Sequence, residues 1–181
     1  FSGSGNGAGT NFANLRDVVI DAPRDRALVT DVNLDAIFAV DLTASATEGN
    51  RTIISQFSTS TGTGPDTGNP THLALDLANH RLLIAAWEQF GVFAMDLTSG
   101  DRTVITTNST HPGPDFVRIR GITLMDSGRR ALVVDTDARA VRSVDLSPAI
   151  GDRTIVASND IGSSDGFFPF FLPEWFDYDH V

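Results

Sequence analysis

An all-β fold is predicted by three observations: a tetrapeptide that returns at fixed spacing, a second phrase that returns in step with it, and four short strand-forming runs in every copy. The tetrapeptide is Gly49-Asn50-Arg51-Thr52, then Gly100-Asp101-Arg102-Thr103, then Gly151-Asp152-Arg153-Thr154, 51 residues apart each time. The second phrase is Asp-Leu, which closes AIFAVDL at Asp41-Leu42, GVFAMDL at Asp96-Leu97 and AVRSVDL at Asp145-Leu146. Four strands in roughly 50 residues make one blade of a β-propeller.

The strands can be placed in order within each copy. The first ends at VVID (Asp21), LALD (Asp76) and ITLM (Met125), 20 residues before the Asp of Asp-Leu. The second is RALVTD, RLLIAA and RALVVD, the third ends on Asp-Leu, and the fourth is RTIIS, RTVIT and RTIVA. Turn formers such as APRD, LANH and DSGR separate runs rich in Val, Ile, Leu, Phe and Thr, so the strands are antiparallel with tight connections. None of the runs has the length or the 3.6-residue period of a helix. Between copies lie Gly5-Asn6-Gly7-Ala8-Gly9, Gly62-Thr63-Gly64-Pro65-Asp66 and Pro112-Gly113-Pro114-Asp115, which suit the passage from an outer strand to the next inner one.

Blades are therefore expected at about 10–60, 66–110 and 115–160, with an aromatic link and the start of a further blade at 167–181. There, Phe176 to Asp179 (FDYD) aligns with Leu73 to Asp76 (LALD). A propeller ring has about four to eight blades, so three blades plus the first strand of a fourth call for completion. Either the chain is part of a longer polypeptide, or copies assemble into one ring, a pair supplying six blades.

The repeated tetrapeptide is read as architecture. Its Gly makes a turn with positive φ and its Asp or Asn supports that turn. Arg51, Arg102 and Arg153 are each expected to reach the Asp-Leu strand of their own or the neighbouring blade, where a bidentate guanidinium–carboxylate pair with Asp41, Asp96 or Asp145 would hold strand register.

Composition narrows the function. A 181-residue chain with 41% hydrophobic and 20% charged residues has the means to bury a core as one domain. Its net charge of −10 repels phosphate backbones, which argues against nucleic acid as a partner. All 13 basic residues are Arg. With no cysteine, disulfides, thiol nucleophiles and thiolate metal sites are excluded. No apolar run approaches the roughly 18 residues of a transmembrane span. The sequence opens at Phe1 without Met or a signal peptide, which suits either an incomplete sequence or a processed export product with a periplasmic or extracellular location.

Two groups of residues are candidates for recognition. Phe167, Phe168, Phe170, Phe171, Trp175 and Phe176 concentrate aromatic surface before the last run, as a plug over the propeller or as a partner-binding patch. Arg16, Asp17, His72, Arg120 and Glu174 precede the inner strands and are expected to line the channel. His72, His80, His111 and His180 lack metal-binding spacing, and no Gly-x-Ser-x-Gly elbow is present. The Asp-rich stretches at Thr30 to Asp35 and Asp135 to Arg139 share one hairpin position and are read as turns, since the EF-hand spacing is missing. Asn50 and Asn108 begin glycosylation-type triplets.

The GDRT, GPD, LALD and RALVVD phrases resemble the six-bladed propellers of the NHL and lactonase-like group, which includes gluconolactonases and strictosidine-synthase-like proteins. The resemblance runs from about Asn14 to Ala157 and rests on blade motifs. It implies a divalent ion, often calcium, held in the channel by Glu, Asp and Asn. At the matching positions only Asp17 and Glu174 supply hard oxygen ligands, where calcium takes six to eight; no cofactor is otherwise evident. The expected function is a non-enzymatic binding or scaffold propeller, recognising a protein partner or its own copies through a propeller face or the aromatic segment. The alternative is a fragment of a calcium-dependent lactonase-like hydrolase.

Overall fold

The structure is a computed structural model that describes residues 7–43, 49–147 and 151–159. Among these residues twelve strands form three four-stranded antiparallel sheets. The first contains β1 (Leu15–Asp21), β2 (Arg26–Asp31), β3 (Ala36–Asp41) and β4 (Arg51–Gln56). The second contains β5 (Pro70–Asp76), β6 (Arg81–Ala86), β7 (Gly91–Asp96) and β8 (Arg102–Thr107). The third contains β9 (Ile119–Met125), β10 (Arg130–Asp135), β11 (Ala140–Asp145) and β12 (Arg153–Ser158). In each sheet the spatial order follows the chain order, and β1 packs against β5 as β5 packs against β9. The first strand of every blade thus lies innermost, as in a propeller. The fourth-blade strand at 176–179 and the aromatic link lie outside the described residues.

The strand period of two explains how blades stack. In the middle blade Leu82, Ile84, Phe93 and Met95 face the first blade, joining Leu28 and Ile37 in one apolar cluster. Their sequence neighbours Leu83, Ala85, Val92 and Ala94 face the third blade, joining Phe116, Ala131, Val133 and Val144. A strand apolar on both faces needs a neighbour on both sides. Each large side chain buried this way contributes roughly 1.5–3 kcal/mol. In the first blade, Ala27, Val29 and Phe38 form a third cluster on the opposite side, partly covered by Phe12 and Leu34.

Two bulges recur in every blade. In the inner pair one residue too many is inserted around Arg16-Asp17, at Thr71 and at Arg120. In the outer pair the extra residue is Ile54, Ile105 or Val156. The outer bulge receives the Gly of the next blade's tetrapeptide. A Cβ on Gly100 would lie 1.9 Å from the Ile54 carbonyl oxygen, and one on Gly151 would lie 2.2 Å from that of Ile105. Gly49, Gly100 and Gly151 all have positive φ (79°, 75° and 54°), as the turn reading expects.

Candidate functional site

The expected pairing of the tetrapeptide Arg with the Asp-Leu carboxylate is corrected by the structure. Arg102 directs Nε to the Pro65 carbonyl and Nη1 to Ser55 Oγ and the Thr61 carbonyl. Arg153 does the same with the Pro114 carbonyl, Thr106 Oγ1 and the Thr107 carbonyl, and Arg51 donates Nε to the Thr10 carbonyl. The main-chain N–H of each Arg bonds the linker two residues earlier, at Ala8, Thr63 and Pro112. Each Arg therefore fastens the preceding linker to the rim. Carbonyl oxygens and hydroxyls compete successfully for the guanidinium because the linker crosses directly over it.

The Asp-Leu carboxylates serve turns instead. Asp41 accepts from Thr43, Asp96 from the N–H groups of Thr98 and Ser99, and Asp145 from Ser147. These bonds hold the Asp96 and Asp145 carboxyls below the usual carboxylate range. The register-holding pairs lie elsewhere: Arg26 with Asp21 at 2.8 Å, Arg81 with Asp76 at 2.9 Å, and Arg130 with Asp126. Sequence reading missed them, although an Asp four or five residues ahead of the Arg that opens the second strand recurs in all three copies. Asp31 and Asp135, the last residues of β2 and β10, are fully buried and accept from N–H groups of the hairpin turns that follow them. Asp31 accepts from Ala13, Asn14, Asn33 and Leu34; Asp135 accepts from Val117, Arg118 and the Arg142 guanidinium.

The channel candidates fall at the leading ends of β1, β5 and β9. Here the backbone is the same in each blade: Val32, Trp87 and Thr136 donate their N–H to the carbonyls of Asn14, Asn69 and Arg118. The side chains differ. Arg16, Thr71 and Arg120 occupy equivalent inner-bulge positions, and Asn14, Arg16, Val32, Asn33, Asn69, Thr71, Trp87 and Arg120 surround a cavity of about 220 Å³. The guanidinium carbons of Arg118 and Arg120 stand 5.1 and 5.9 Å from the centre of the Trp87 ring. Arg118 also reaches Asp137 at 3.6 Å, whereas no hydrogen bond or ion pair engages Arg16 or Arg120 among the described residues.

Asp17 lies just outside this cavity, with Oδ1 accepting from Val18 N–H and Oδ2 from Leu73 N–H at 2.8 Å each. His72 Nδ1 is buried without a partner. Burial, opposed by Asp17 and aided by Arg120 and Arg16, lowers the His72 pKa and so favours the neutral ring. These residues do not fit a calcium ion: they offer one carboxylate, Asp17, where calcium takes six to eight oxygen ligands, and two guanidinium groups beside it repel a dication. The remaining candidate ligand, Glu174, and the aromatic set Phe167, Phe168, Phe170, Phe171, Trp175 and Phe176 lie outside the described residues.

Three meandering sheets, packed face to face around their first strands, define a partial β-propeller. Solved structures carry the same fold. The chain aligns with one in a nidogen/laminin complex at a TM-score of 0.62 and 17% identity, over 81% of this chain and 49% of that one. It aligns with an auxiliary nutrient binding protein from Bacteroides ovatus at 0.60 and 15%, over 83% and 33%. The Swd1 β-propeller domain from Myceliophteria thermophila aligns at 0.53 and 14%, over 81% and 40%. The chain spans less than half the length of each. No family model and no curated protein sequence matches it.

Proposed function

We propose that this protein is a binding or scaffold propeller whose ring is completed by blades docking on its first and third sheets. The observation that supports this is the contrast between covered and uncovered blade faces. On the first blade Val18 and Ile20 are each 56% exposed and lie beside Val29 and Ala27, on the side away from the second blade. On the third blade Val134 is 43% exposed, on the side opposite the buried Ala131 and Val133. The same surfaces of the middle blade are covered on both sides. The resemblance to six-bladed NHL-type propellers supports a count of six, supplied by a second copy, a protein partner or further blades of the same polypeptide. The aromatic segment around Phe170 is a second surface for such contacts.

The test is the mass in solution of the chain, alone and with Val18→Asp plus Ile20→Asp, or Val134→Asp, measured by light scattering. Self-association that both face variants reduce, while strand content is kept, is the expected result. A chain that stays monomeric at every concentration would count against self-assembly. Association that ignores both variants but is lost in Phe170→Ser plus Phe171→Ser would move the contact to the aromatic segment.

A further inference from the structure

The cavity at the leading ends of the inner strands goes beyond assembly, and we propose that it is a binding site for the carboxylate of a small organic acid. Its logic is one of equivalent positions carrying unequal side chains. A blade repeat that merely closed a channel would place similar residues at its three inner bulges. Here the bulges carry Arg16, Thr71 and Arg120. A bulge redirects the side chain it carries, which makes it a common device beside binding sites. The two long cations stand on the flanking blades, with a short buried residue between them. Thr71 is tied by its hydroxyl to the Ala85 carbonyl, so it forms a fixed floor instead of reaching into the space.

Charge supports the assignment. The chain carries 23 acidic against 13 basic residues, so an arginine has many carboxylates within reach of evolution's choice. Yet no Asp or Glu lines this cavity among the described residues, and neither Arg16 nor Arg120 has a bonded partner there. Of the carboxylates beside it, Asp17 accepts the N–H groups of Val18 and Leu73 and Asp31 those of Asn14 and Asn33, and neither forms an ion pair with Arg16 or Arg120. Arg118, the third cation nearby, is committed to Asp137. Two guanidinium forks are left for an incoming anion, and each presents paired N–H donors that match a carboxylate.

The remaining lining says what surrounds that carboxylate. Trp87, 39% exposed, replaces Val32 and Thr136 of the other blades and offers an aromatic wall. Asn33 and Asn69 add amide groups that can accept or donate, and Asn14 donates to Asn33 at 3.1 Å. A volume of about 220 Å³ lies below the roughly 300 Å³ at which drug-sized pockets begin, so the ligand is a compact acid.

Trp87 reports on its own site. The chain has two tryptophans, so Trp175→Phe leaves Trp87 as the sole indole emitter. In that background succinate is titrated at constant ionic strength set with sodium chloride, beside succinamide as the neutral isostere. The expected result is a saturable change in Trp87 emission with succinate alone. Arg16→Gln and Arg120→Gln should each weaken it by about tenfold or more, the loss of one charge-assisted pair. Arg120→Lys should recover part of the affinity, and all three variants should keep the parent unfolding midpoint. An equal response to succinamide, a response untouched in the double Gln variant, or no saturation up to about 50 mM, far weaker than a millimolar site, overturns the proposal. Calorimetry of the unmodified chain with succinate checks that Trp175→Phe did not itself remove the site. Because the readout is ligand occupancy, its failure leaves the assembly reading, judged by mass, standing or falling separately.

Discussion

Arginines at the rim and arginines at the channel occupy the same kinds of repeated position and end in opposite states. At the rim, Arg51, Arg102 and Arg153 each bond the linker that crosses them, and the last two are buried to within 5% and 2%. At the channel, Arg16 and Arg120 are exposed and Thr71 stands between them. Where all three copies keep one residue, that residue holds the fold together. Where the copies diverge on an unchanged backbone, the side chains are released for something else. The lesson is physical: a guanidinium buried under a linker must have its N–H groups satisfied, whereas an exposed one is free to exchange water for a ligand.

That contrast can be broken most severely at the glycine. Gly100→Ala would force a Cβ into the Ile54 carbonyl at a positive φ, and a loss of more than about 3 kcal/mol is expected in urea unfolding. An unchanged midpoint would mean that the outer bulge yields and that the blades are not docked through it.

Next comes the arginine comparison itself. Arg102→Ala should cost about 1.5–3 kcal/mol by removing charge-assisted bonds to Pro65, Thr61 and Ser55. Arg120→Ala should move stability by no more than about 0.5 kcal/mol, as for a surface side chain. Equal losses at the two positions would erase the distinction between rim and channel.

The smallest expected effect sharpens it at one more divergent position. Asp35, Phe90 and Arg139 all take positive φ in equivalent hairpin turns. At Asp35, burial and then the neighbouring Asp66 carboxyl raise the pKa to about 6, against Thr67 and Arg102. The folded state therefore holds a proton that the unfolded chain has released above about pH 4. Stability contributed by that proton is lost as pH rises from about 4 through 6. Asp35→Asn should flatten this dependence and raise the thermal midpoint at pH 7, while Asp115→Asn, at the position equivalent to Asp66, should leave the slope in place. A parent midpoint that does not change between pH 5 and 7 would show that the two carboxyls are not in contact.

Much of the blade was legible from the repeats. Strand order, the positive-φ Gly of the tetrapeptide and the turn role of the Asp-rich hairpins followed from residue type and spacing. The Arg–Asp assignment failed because both residues recur in each copy, and recurrence reveals a shared environment without saying what it contains. The linker over Arg102 is made of carbonyl groups, which every residue possesses and no sequence marks. The true pairs at Asp21, Asp76 and Asp126 carried a spacing signal that went unread because Asp126 is offset by one position. Arg16 and Arg120 were legible as channel residues; Trp87 was not, since a lone Trp in a turn carries no periodic signal.

By itself the sequence determined the local and repeating parts: period-two strands, tight turns and a four-stranded unit written three times. Those are set by interactions between near neighbours and by binary burial. Which groups the cations meet was decided only by tertiary structure. Stacking the blades brings linker carbonyls over Arg102 and Arg153, and it sets Arg16, Thr71, Arg120 and Trp87, from three different blades, around one cavity. A guanidinium responds to whatever lies within a few ångströms, and over such distances neighbours in space outweigh neighbours in sequence.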